Sequence, residues 1–299
     1  MTVGVTWIRE TERGQELWFA SDSRLSGDGQ VWDDCPKLFV SPRRDLAAAF
    51  SGDTAQAYPL WLQMANAITS YQSAADGTLE LTYLIEHLER VANHMLGRIE
   101  TDPLVRGAGS PAPFARRTDA IVIGGYSRHA NGLIMRALQF DKQSGSWRFV
   151  KARDRVKVGS NKVYRIFGDR TAAARYSYLL LERLRSSSKL GTSRSFDLEP
   201  LGVLWEFLTL PASIERPLPH GRRPPSTGGP VQVVQVRPGG LAMPFAVRWG
   251  SPDEPVYVLG RQAFPEERLD IPLVAREDAG GFVVTARGQW ESHRPGDTR

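Results

Sequence analysis

Hydrophobic and polar positions fall into short strand-like runs near the N-terminus and then shift to three-and-four spacing. Residues 3–8 (VGVTWI) and 17–21 (LWFAS) are β-branched or aromatic runs around the polar, Gly-containing stretch 9–15, a hairpin pattern. Residues 37–41 and 46–51 form a second pair around Pro42-Arg43-Arg44-Asp45, where Pro and Asp supply turn chemistry. Gly52-Asp53-Thr54 then offers cap-forming residues. Apolar side chains recur at Tyr58, Trp61, Leu62, Ala65 and Ile68, which predicts a buried helical stripe. A second helix capped by Thr78 follows, with Leu81, Leu84, Ile85, Leu88, Val91, Ala92 and Met95 on one face and Gly97 at its end.

Residues 101–117 are Gly-, Ala-, Pro- and Arg-rich without periodicity and read as a loop. Strands resume over 119–126, 132–140 and 147–151. After 156–161 the pattern predicts a third helix through Val163, Phe167, Ala172, Ala173, Tyr176, Leu179 and Leu180, and 198–210 predicts a fourth. A Pro-, Arg- and Gly-rich connection, 211–226, leads into a buried strand at 231–236 (VQVVQV). Short strands at 245–249, 256–259 and 282–285 precede a frayed tail. The order of strand pairs, helices, strands and helices predicts an α+β protein built as a four-layer αββα sandwich, two antiparallel sheets face to face with helices outside.

Composition narrows the class. The chain has 299 residues, 41% of them hydrophobic and 24% charged, which fits a folded globular protein. Its net charge of +5 permits an acidic partner, but Arg43-Arg44, Arg116-Arg117 and Arg222-Arg223 are not interleaved with aromatics, so a base-stacking surface and nucleic acid are not expected. The single cysteine, Cys35, excludes an internal disulfide and a cysteine metal cluster, and a cytoplasmic setting is expected. His87 and His94 share a helix face without a third ligand and read as ordinary helix residues. No stretch reaches the roughly 18–20 apolar residues of a membrane span, and Gly124-Gly125 lacks the further glycine and helix start of a dinucleotide fingerprint. Neither membrane, metal nor organic cofactor is expected.

The chemistry-bearing residues lie early. Ala20-Ser21-Asp22-Ser23-Arg24, Cys35-Pro36-Lys37-Leu38 and Ala49-Phe50-Ser51-Gly52-Asp53-Thr54-Ala55 together resemble the proteasome β-subunit group of N-terminal-nucleophile (Ntn) hydrolases, including its bacterial proteasome-like members. Val158-Gly159-Ser160 before a helix and Thr227-Gly228-Gly229 before a strand match later landmarks more loosely. The resemblance covers residues 2–250 in layout and is specific over the first 60, leaving 251–299 as a C-terminal extension of short strands and flexible tail.

It implies a threonine nucleophile, Thr2, exposed by removal of Met1. The free α-amino group of such a residue, with a reference pKa of about 7.7–8.0, takes the hydroxyl proton. Asp22 and Lys37 are implied as an ion pair beside it, Gly52 as the oxyanion N–H donor, Ser160 as a proton relay and Arg24 as a structural arginine near the site. The implied activity is amide hydrolysis, most simply as a self-compartmentalising peptidase acting on peptide substrates. A homo-oligomeric ring or helical stack, with or without an ATP-dependent unfoldase, is implied with it. A non-catalytic proteasome-like scaffold subunit and a small-molecule Ntn amidohydrolase are the alternatives, although α-type scaffold subunits carry an N-terminal helical extension before the first strand. One departure stands out. The family has an aspartate three residues before its Ser-Gly-Gly triplet, whereas Pro224 precedes Thr227-Gly228-Gly229 here.

Overall fold

The computed structural model describes residues 2–27, 30–98, 121–152, 158–159, 161–209, 227–239, 241–249, 254–277 and 281–286. The predicted N-terminal hairpin is β1 (Val3–Thr11) and β2 (Gly14–Ser21), paired from Gly4↔Ser21 to Thr11↔Gly14. A two-stranded ribbon, β3 (Leu25–Gly27) and β4 (Gln30–Trp32), separates it from β5 (Leu38–Val40) and β6 (Leu46–Phe50). Helices α1 (Thr54–Ser70), α2 (Gln72–Ala75) and α3 (Leu81–Leu96) follow, then β7 (Ile121–Ser127), β8 (Gly132–Asp141), β9 (Ser146–Lys151) and β10 (Tyr164–Gly168). Helices α4 (Arg170–Ser186) and α5 (Glu199–Thr209) come next, and β11 (Gln232–Val236), β12 (Met243–Pro244), β13 (Ala246–Arg248), β14 (Val256–Val258), β15 (Arg261–Gln262), β16 (Leu273–Arg276) and β17 (Phe282–Thr285) complete the described chain.

Two five-stranded antiparallel sheets carry most of it, ordered β10-β1-β2-β11-β12 and β5-β6-β7-β8-β9. Strand alternation sends side chains to two different cores. Val3, Val5, Trp7, Trp18, Ala20 and Val233 join Tyr176, Leu180, Leu201 and Leu204 of α4 and α5, while Leu17, Phe19, Val234 and Val236 meet Leu38, Ala47, Ala49 and Val122 of the other sheet. On that sheet's opposite face, Leu46, Ala48, Phe50 and Ile123 pack with Trp61, Met64, Leu84 and Leu88 of α1 and α3. The molecule is thus a mixed α+β protein with antiparallel sheets buried on both faces.

A third sheet, β15-β14-β13-β16-β17, draws on residues from both sides of position 250. It joins the first core through Phe245, Val247 and Val274, and Trp205 of α5 meets Trp249 and Phe282 with ring centroids 4.5 and 5.4 Å apart. None of the helices among the described residues is long and apolar enough to cross a membrane.

Two sequence expectations need correction. Residues 164–168 form strand β10, not the start of the third helix, because they pair with β1 from Val3↔Gly168 to Trp7↔Tyr164 and satisfy backbone groups that β1 would otherwise leave at a sheet edge. The helix begins only after Gly168, with Asp169 as its cap, so Gly159-Ser160 is followed by a strand and not by a helix. Helix α3 is capped by Glu80, whose carboxylate accepts from Thr82 N, and not by Thr78, whose hydroxyl is taken up by Asp76. The loop expected at 101–117, the connection 211–226 and the tail lie outside the described residues.

Candidate active site

β2 ends at Ser21, and the chain turns so that Asp22 lies beside the start of β1. Asp22 N donates to Val3 O (3.1 Å), and Val3 N donates back to Asp22 Oδ1 (3.0 Å). Lys37, just ahead of β5, donates from Nζ to the same Oδ1 at 2.8 Å, and both side chains are fully buried. Gly228 N completes the carboxylate by donating to Oδ2 at 3.2 Å. Three donors therefore surround Asp22, and one of its oxygens joins the Lys37 ammonium to the amide that follows Thr2. Burial pushes the Lys37 ammonium below its ordinary value, opposed by the attraction of Asp22. Cys35 beside it is buried, and the loss of hydration pushes its thiol up to about 11 despite Lys37, so it carries no thiolate near neutrality.

Thr2 is buried, and its carbonyl accepts from Asp169 N at 2.7 Å. Asp169 Oδ1 in turn accepts from Thr171 N (3.0 Å) and Ala172 N (3.1 Å), which ties the main chain of Thr2 to the capped end of α4. Gly168 makes this seat possible: its φ is +124° and a Cβ there would lie 2.0 Å from Thr2 O. Only glycine combines that dihedral with so close an approach.

Gly52 lies two residues beyond Phe50, whose N–H donates to Lys37 O at 3.0 Å. It is exposed, has φ +109° and directly precedes Asp53, the cap of α1. Its N–H makes no hydrogen bond among the described residues. Arg24 pairs with Asp33 through Nε (2.5 Å) and Nη2 (2.7 Å), and its own N–H donates to Gly228 O (3.0 Å). It therefore braces the loop that feeds Asp22 without touching the carboxylate.

Of the sequence-derived residues, Asp22 and Lys37 form one buried cluster against the strand that follows Thr2, Arg24 braces the loop behind it, and Gly52 lies at the entry to α1. Ser160 lies outside the described residues. The sequence pattern gave no role to Gly168, Asp169 and Gln232, and it marked Gly228 only as part of the Thr227-Gly228-Gly229 landmark. A Gly-Asp pair immediately before a helical stripe was the available signal for the first two, and a polar residue inside an apolar strand run was the signal for Gln232. Among the described residues no group of three or more His, Cys, Asp or Glu is placed to hold a metal ion.

No known protein family's sequence profile matches this chain, and no curated protein matches it.

Proposed function

We propose that the chain is a threonine-nucleophile amide hydrolase of the proteasome-like Ntn type, acting on peptides after removal of Met1. The observation that carries this reading is the buried Lys37–Asp22 pair tied through one carboxylate oxygen to Val3 N, directly after Thr2. A buried ion pair is costly to assemble and, as a source of stability alone, is readily replaced by apolar packing, so its place at the start of β1 favours a chemical role. The three core clusters support the four-layer αββα arrangement that this reading requires.

In the proposed reaction the Thr2 hydroxyl oxygen attacks the amide carbonyl, and its proton passes to the free α-amino group of the same residue. The Lys37 ammonium lowers the proton affinity of hydroxyl and amine by its nearby charge, and Asp22 holds it in place. The Gly52 N–H, unpartnered among the described residues at the entry to α1, faces the developing oxyanion. Collapse breaks the C–N bond, and the leaving amine takes the proton from the α-ammonium. Water then attacks the resulting ester, releasing the carboxylic acid and restoring the Thr2 hydroxyl. Homo-oligomeric assembly around the sites belongs to the same reading.

Hydrolysis of a fluorogenic peptide-amide library tests it. Wild type is expected to turn over a subset of the library, and Asp22→Asn to lose about a hundredfold or more in kcat with little change in KM. Equal turnover by wild type and Asp22→Asn would remove the pair from the mechanism.

A further inference from the structure

Lys37 is anchored in the second sheet's lead-in, yet the side chain that fixes its backbone comes from the first sheet. Gln232, fully buried at the start of β11 and paired with Ser21, reaches across so that its Oε1 accepts from Lys37 N (2.9 Å) and Leu38 N (3.2 Å), while its Nε2 donates to Cys35 O at 2.6 Å. One amide thus satisfies three backbone groups across the Cys35–Leu38 segment. Over it closes the turn between β14 and β15, where Leu259 (φ +49°) and Gly260 (φ +93°) are both left-handed. A Cβ on Gly260 would meet Ser23 Cβ at 2.7 Å, Gln232 Nε2 at 3.0 Å and Cys35 O at 3.3 Å. The third sheet therefore touches, at one point, both loops that deliver the ion pair: Ser23 follows Asp22, and Cys35 precedes Lys37.

We infer that Gln232 and the Leu259–Gly260 turn form a buttress that sets the main-chain position of Lys37 relative to Asp22, so that Gln232 and Gly260 are positioning residues and the C-terminal sheet is a working part of the site. The catalytic half of this inference rests on the function proposed above; the mechanical half does not. A Gln232→Leu change leaves the Lys37 and Leu38 amides without their acceptor, and Gly260→Ala pushes the turn off Ser23 and Gln232.

Hydrogen exchange read by mass spectrometry tests the mechanical half, with Gly239→Ala as the control. Gly239 also has a left-handed φ, +65°, but a Cβ there meets nothing within 4 Å. Exchange at Lys37 and Leu38 is expected to accelerate about tenfold or more in Gln232→Leu and Gly260→Ala, to stay unchanged in Gly239→Ala, and to leave β8 peptides as protected as in wild type. Unchanged exchange at 37–38, or equal acceleration at 37–38 and in β8, overturns the buttress.

Inactivation by a threonine-directed β-lactone tests the catalytic half: Gln232→Leu and Gly260→Ala are expected to lower the maximal inactivation rate about tenfold with the half-saturating concentration kept. A loss confined to the half-saturating concentration contradicts positioning. A wild type that never reacts, alongside accelerated exchange in the variants, sinks the hydrolase reading and leaves the buttress standing.

Discussion

The energetics of Lys37 and Asp22 decide much of what happens at the residue scale. Neither side chain reaches solvent, and each is the other's counter-charge at 2.8 Å. Replacing Lys37 by Met leaves the Asp22 carboxylate buried with only the Val3 and Gly228 amides, which costs about 3–5 kcal/mol of folding stability. Urea denaturation of Lys37→Met against wild type measures it; a loss below about 1 kcal/mol would mean that the pair is not desolvated as described. The double variant Lys37→Met with Asp22→Asn removes both charges while keeping a side-chain acceptor for the Val3 amide, and it is expected to recover part of the loss, since no uncompensated charge remains.

Residue identity also explains what the sequence made legible. Asp22 and Lys37 could be found because the segments Ala20-Ser21-Asp22-Ser23-Arg24 and Cys35-Pro36-Lys37-Leu38 resemble those of the proteasome-like Ntn hydrolases. Gln232 could not be given a role, because the backbone groups it satisfies belong to a segment almost two hundred positions away in the chain. Asp169 was hidden by a competing pattern: Val163 and Phe167 fit the helical spacing of the stripe that follows, and a segment as short as the five residues of β10 does not distinguish strand from helix. Gly168 was the discriminating residue, since a left-handed φ ends a strand as readily as it precludes a helix interior.

Among the elements, α3 shows how a cap ties a helix to a sheet. Burial alone would raise the Glu80 carboxyl, but hydrogen bonds from Ser127 Oγ, from Thr82 and from His129 N outweigh it and hold it at about 2. One carboxylate thereby caps α3 and fastens the β7–β8 turn. A depressed folded-state pKa gives stability that is fully present above about 4.5, the ordinary carboxyl value, and is lost as pH falls towards about 2. For this partly exposed group the contribution, discounted for solvent screening, is about 1–2 kcal/mol. Thermal melts at pH 6 and pH 2.5 check it: wild type is expected to exceed Glu80→Gln by that margin at the higher pH and to lose most of the margin at the lower. A gap that stays constant with pH would contradict the assignment. Element boundaries of this kind were only partly legible. Thr78 is the better capping residue by type, yet Glu80 wins because its second oxygen is needed at Ser127, a tertiary contact.

Across the whole molecule, the third sheet and the first sheet share one core. Phe245, Val247 and Val274 sit in the same cluster as Trp7, Trp18 and Leu204, so the C-terminal strands should open only when that core opens. Native-state hydrogen exchange is expected to give β13 and β16 amides the same opening free energy as β1 and β2; a separate, lower plateau for β13 and β16 would show an independently unfolding unit. The long apolar strands and amphipathic helices of this architecture were readable from hydrophobic spacing. The small strands β12, β15 and β16 were not, since two to four residues carry no period and their pairing is set by contacts with distant strands.

Under the proposed function, Thr2, seated by Asp169 N beside the Lys37–Asp22 pair, acts as an N-terminal nucleophile. Intact mass spectrometry of the purified protein, before and after a threonine-directed β-lactone and beside a Thr2→Ala control, decides whether it does. Loss of Met1 and a single covalent adduct are expected on wild type, with no adduct on Thr2→Ala. Retention of Met1 in the assembled protein, or an adduct that persists in Thr2→Ala, would contradict it.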